Sequence, residues 1–236
     1  MHIFIRNESP QPDIAAWSSG RRTFLKLSAC AAAAIGISTG GGALFAIPME
    51  PKDKDKVDLG SGDTGILNYA YALEQLEAAF YTQALSAPYT EITSTEREIL
   101  TDIRDHEIVH REFFKAALGA NAIPALEPNF SKIKWNERKS VLETAKTFED
   151  LGVAAYNGAG RLLTNGDFLL LAGKIVSVEA RHASAIRDLL GPRSGDFAPD
   201  ALDGAKSPKD VLKAAGPFIK TKIEVKNLPG MMGGSR

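Results

Sequence analysis

One carboxylate–histidine pattern occurs twice in this chain, and it constrains the fold more than any other feature. Glu74 is followed seven residues later by Tyr81, and then Glu107 and His110 form a Glu-x-x-His. The order recurs as Glu149, Tyr156 seven residues on, and Glu179 with His182 as a second Glu-x-x-His. Glu74 to Glu149 and Tyr81 to Tyr156 are both steps of 75 residues, and Glu107 to Glu179 is a step of 72. On an α-helix, residues three, four and seven apart share a face. Four helices, each turning one such element inward, gather four carboxylates and two imidazoles. That is the ligand set of a carboxylate-bridged di-metal centre in a four-helix bundle.

The apolar spacing supplies the four helices. Leu67, Ala70, Leu73, Leu76, Phe80 and Ala84 recur every three or four residues and predict a first helix opening at Asp63 or Thr64 and ending before Pro88. A second helix is predicted to open with Ser94 or Thr95 as its cap and to stop at Gly119. Residues 121–134 carry Pro124, Pro128 and Asn129 and read as a long crossover loop. The third helix is expected from about Glu137 to Leu163, and the fourth from Asp167 to Leu190, stopped by Gly191-Pro192. No stretch between 63 and 191 alternates with period two over a useful length, so the fold class is all-α, a four-helix bundle with a long crossover between helices 2 and 3.

The acids of the pattern lie on stripes that also carry Leu, Ile and Phe, so they do not belong to a solvated face. Burying four ionised carboxylates without compensation is prohibitive, because each loses several kcal/mol of hydration. Two divalent cations, with two imidazoles completing the shell, neutralise them. Oxygen and imidazole donors suit iron or manganese. The competing reading pairs the acids with Arg104, Arg111, Arg181 or Arg187. Tyr81 and Tyr156 are either partners of the acids, redox-active groups, or core residues with a satisfied hydroxyl. His106 lies about 100° around its helix from Glu107 and is expected behind the site or on the surface.

The flanks read differently. Arg21-Arg22-Thr23-Phe24-Leu25-Lys26 resembles a twin-arginine export motif, with Gly20 where that pattern prefers Ser or Thr, and an apolar stretch to Leu44-Phe45-Ala46 follows. Residues 1–46 are therefore expected to be an export signal to the periplasm or exterior, too broken by Gly40-Gly41-Gly42 for a stable membrane span. Leu27-Ser28-Ala29-Cys30 resembles a lipidation box, but the main apolar run follows Cys30 instead of preceding it. Residues 47–62 read as a charged linker, 63–191 as the bundle, and 192–236 as a C-terminal extension. In that extension Pro208 to Ala215 is a short helix, Pro217-Phe218-Ile219 packs back on the bundle, Ile223-Glu224-Val225 alternates without a partner strand, and the end from Met231 is expected to be disordered. A formal net charge of −1 and no basic stripe exclude an electrostatic case for nucleic acid. The single cysteine excludes an internal disulfide.

Four strings, Leu73 to Tyr81, His106 to His110, Phe148 to Tyr156 and Val178 to His182, resemble the ferritin-like superfamily, and within it the secreted branch that includes desiccation-related proteins. The resemblance covers about half the chain. It implies Glu74, Glu107, His110, Glu149, Glu179 and His182 as metal ligands, with Glu77 as the alternative to Glu74, and a homodimer at family level. Its implied activity is that of a di-metal oxidoreductase acting on oxygen or peroxide, as a ferroxidase, peroxidase or catalase-like enzyme in stress protection. The alternative is a non-enzymatic envelope stress protein that keeps the pattern without a functional metal site.

Overall fold

The computed structural model describes residues 56–231. The export signal, the Cys30 alternative, the first part of the 47–62 stretch and residues 232–236 lie outside the described residues. Helix α1 runs Gly62–Ser86, α2 Ser94–Leu118, α3 Arg138–Gly160 and α4 Gly166–Leu190. Helices α1 and α2 pack along one another, as do α3 and α4, and the two hairpins close on a shared core through α1–α3 and α2–α4 contacts. The all-α bundle predicted from the spacing is the fold observed. No helix among the described residues is long and apolar enough to cross a membrane.

The helix ends show why these segments start and stop where they do. Thr93, and not Ser94 or Thr95, caps α2. Its side chain accepts from the Glu96 amide at 3.1 Å while the Glu96 carboxylate accepts from the Thr93 amide at 2.9 Å. This reciprocal box needs the acid three residues after the cap, a condition Thr93 meets with Glu96. Glu96 also receives Arg138 of α3 at 2.5 Å, and Arg138 reaches the Leu189 carbonyl of α4, so three helices are tied at one end. Helix α3 stops earlier than the spacing predicts. The Leu162 and Leu163 amides fold back on Ala159 and Gly160, and Asn165 caps α4.

The crossover from Gly119 to Glu137 is pinned to α1 by the buried Asn68 and the half-buried Gln75. Asn68 donates to the Leu59 and Asn121 carbonyls and accepts from the Ile123 amide, and Gln75 accepts from the Leu126 amide. Phe130 and Trp135 pack around Phe80 with ring centroids 6.0 and 5.6 Å away.

Two expectations about the flanks are corrected. Residues 56–58, expected in the solvated linker, form strand β1 (Lys56–Asp58), which pairs in parallel with β2 (Lys222–Glu224), Val57 facing Ile223. Leu59 just after β1 is fully buried. A strand whose partner lies more than 160 residues away leaves no local signal. Helix α5 occupies Pro208–Ala215, capped by Ser207. Ahead of it the backbone lies against α3: the Lys206 amide donates to the Ala154 carbonyl at 2.9 Å, and a Cβ on Gly158 would stand 1.7 Å from the Lys206 carbonyl oxygen. Phe218 then meets Phe148 edge-on at 4.8 Å.

Candidate metal centre

Four helices deliver one element each to a common level of the core. Glu74 comes from α1, Glu107 and His110 from α2, Glu149 from α3, and Glu179 and His182 from α4. The four carboxylates are 0% exposed and the two imidazoles 6% and 4%. Ligand atoms of Glu74, Glu107, His110 and Glu179 all lie within 4.8 Å of one another, and so do those of Glu107, Glu149, Glu179 and His182. Glu107 and Glu179 belong to both groups. Each group then has one carboxylate and one imidazole of its own: Glu74 with His110, and Glu149 with His182. The internal repeat of the sequence has become a near-symmetry of the site.

The donor set fits two cations. Nδ1 of His110 stands 3.0 Å from Glu179 and 3.4 Å from Glu74, and Nδ1 of His182 2.9 Å from Glu107 and 3.3 Å from Glu149. These approaches lack hydrogen-bond alignment. Both Nδ1 atoms, both oxygens of Glu107 and of Glu179, and Oε2 of Glu74 and of Glu149 are buried without a hydrogen-bond partner. An orphaned buried polar group costs about 1–3 kcal/mol, and more if charged, which a cation among them would offset. The arginine alternative fails for all four of its members, since Arg104, Arg111 and Arg187 pair with Asp105, Glu112 and Asp150, and Arg181 is exposed.

Around the six lie side chains that orient them. The Tyr81 hydroxyl donates to Glu149 Oε1 at 2.5 Å, and the Tyr156 hydroxyl donates to Glu74 Oε1. In each case the other carboxylate oxygen, Oε2, is the one left facing the centre. Nε2 of His182 lies 2.8 Å from Nδ1 of His106, with the rings stacked 12° from parallel. The sequence left His106 between a supporting and a surface position, and the structure gives it both: it is exposed and lies against His182. Glu77 is buried but belongs to neither ligand group. It sits where α3 has no side chain: a Cβ on Gly152 would lie 3.2 Å from Glu77 Oε1 and 3.4 Å from Glu179 Oε2. Spacing alone gave no reason to single out Gly152.

The electrostatics are those of crowded acids sharing protons with two imidazoles. Burial, then the charges of Glu107, Glu179, Glu149 and Glu74, hold Glu77 well above the usual carboxylate range. Burial and the neighbouring acids likewise raise Glu179 well above it. Glu74 is pushed up to about 7, by burial above all, with His110 pulling the other way. Glu107 is held below its usual value because His110 and His182 outweigh its burial. Burial pushes His182 down, but Glu107 and Glu149 override it and lift the imidazole to about 10.

A family profile for the ferritin-like domain matches residues 62–192, more than half of the chain. The chain belongs to the ferritin-like domain family. No curated protein sequence matches it. The matched span takes in α1 to α4 and both ligand groups. The β1 strand, helix α5 and strand β2 lie outside the span.

Proposed function

We propose that this chain is an exported ferritin-like protein that binds two iron or manganese ions through Glu74, Glu107, His110, Glu149, Glu179 and His182 and carries out redox chemistry on a small oxidant in stress protection. The observation that carries this reading is the cluster of orphaned buried carboxylate oxygens and Nδ1 atoms that these six residues bring together. A pair of such ions supplies two electrons, one from each as it passes from the divalent to the trivalent state; with two protons these reduce dioxygen to hydrogen peroxide, or hydrogen peroxide to two waters. Export rests on the Arg21-Arg22 motif, and the choice of iron or manganese on the oxygen and nitrogen donors.

The roles of the residues follow from their positions. Glu107 and Glu179, shared by both groups, would serve both ions. Glu74 and Glu149 close the two ends, each steered by a tyrosine through Oε1. Glu77 stands beside Glu179 over Gly152 and belongs to neither ligand group. Burial of all six side chains excludes water from the charged groups, which strengthens every interaction among them.

The test is metal content per chain on protein beginning near Glu50, purified without a His-tag or chelators, beside the Glu107→Ala/Glu179→Ala double variant. Close to two iron or manganese ions per chain, lost in the variant, supports the reading. A metal-free wild type whose variant folds equally well removes it and leaves a structural stress protein.

A further inference from the structure

A second feature of the core lies one helical turn from the carboxylates. An apolar cavity of about 30 Å³ is lined by all four helices, among them Ala70 of α1, Phe113 and Phe114 of α2, Ala159 of α3 and Phe168 of α4. Tyr69 and Tyr156 are the only lining residues with a polar side-chain atom. Ala70 precedes Glu74 by four residues, and Phe114 follows His110 by four, so cavity and cluster share the inward faces of α1 and α2. Tyr156 joins the two: its side chain lines the cavity and its hydroxyl bonds Glu74. At the other side the lining turns half-buried, at Leu163, Phe168, Leu171 and Ala172.

We propose that this cavity admits and holds dioxygen beside the metal centre, which makes dioxygen, and not peroxide, the oxidant. The inference rests on the di-metal reading above. Size and chemistry both point to it. About 10–15 Å³ suffices for one water, so a cavity of about 30 Å³ has room for a diatomic molecule. Dioxygen neither donates nor needs hydrogen bonds, whereas hydrogen peroxide would exchange its hydration for a lining that is almost wholly apolar. Apolar cavities of this kind stay dry and take up apolar gases such as xenon.

The test has one arm that needs no metal. Crystals of the metal-free chain under xenon pressure should show xenon between Phe114 and Tyr156, and none in Ala159→Leu. Ala172→Phe closes the same cavity from a half-exposed position and keeps the test decisive if Ala159→Leu does not fold. In the metal-loaded chain, either variant should slow oxidation of the centre by dioxygen at least tenfold and leave oxidation by added peroxide within twofold. No xenon in the wild-type cavity, or equal slowing of both oxidants, overturns the inference. A chain that binds no metal overturns the di-metal reading along with it. Two bound metals with unchanged dioxygen rates in both variants overturn this inference alone.

Discussion

The Tyr156 hydroxyl of α3 donates to Glu74 of α1, and Tyr81 of α1 returns the bond to Glu149 of α3. Because Glu74 and Tyr81 are met in reverse order by Tyr156 and Glu149, α1 and α3 must run antiparallel. The two hydroxyls turn the two terminal carboxylates so that one oxygen of each is held and the other faces the centre.

Tyr156→Phe is therefore expected to weaken one of the two metal sites and Tyr81→Phe the other, each by about 10–100-fold, the usual cost of losing a group that orients a ligand. Stepwise competition against a chelator reads the two sites separately. Unchanged affinities would reduce both tyrosines to packing.

His106 is expected to act through His182. A cation on Nδ1 of His182 leaves its Nε2–H to donate to Nδ1 of His106, which burial and then the neighbouring imidazoles keep in its neutral form. His106→Ala should cost about 10–100-fold in metal affinity. His106→Asn, whose Oδ1 can stand where Nδ1 stood, should recover most of it, a rescue that a purely structural role for the ring does not predict.

The metal-free protein should lose stability as pH rises. Glu74 is lifted from 4.5 to about 7 and His182 from 6.5 to about 10. With folded values above unfolded ones, the folded chain binds more protons, and the stabilisation is lost between 4.5 and 7 for the acid and between 6.5 and 10 for the imidazole. Glu107, shifted the other way, acts only below 4.5. Melting temperature without metal should thus fall from pH 5 to pH 9. Metal loading displaces the shared protons, so adding metal at pH 7 should acidify a weakly buffered solution. A flat melting profile and no proton release would contradict the shared-proton description.

Gly158→Ala places a methyl group where the Lys206 carbonyl oxygen lies, 1.7 Å from the new Cβ. The segment leading into α5 must lift from α3, breaking the Lys206–Ala154 and Asn157–Gly204 hydrogen bonds. Overpacking of this kind costs about 1–3 kcal/mol, or about 2–4 °C in melting temperature per kcal/mol for a chain of this size. Limited proteolysis near Lys206 should accelerate. Equal protease resistance would show that the segment is not held there.

Much of the site was legible because helical periodicity is local: a residue's face follows from its own spacing. The bundle follows from that rule, and the internal repeat with the family resemblance singles out the six candidate ligands on it. Glu74 and Glu77 show its limit. Both fall on inward positions three residues apart, and only the rotation of α1, set by the packing of residues such as Tyr69 and Phe80 against the other helices and the crossover, brings Glu74 into a ligand group and parks Glu77 against Gly152.

By itself, then, the sequence determined that this chain forms four amphipathic helices with a repeated Glu, Tyr and Glu-x-x-His order on their inward faces. Tertiary structure decided the reciprocal tyrosine bonds, the place of His106, the β1–β2 pairing and the apolar cavity beside Glu74. Each of these depends on how segments far apart in the chain are set against one another, and that relative setting comes from the packing of the whole core, to which no short window of residues has access.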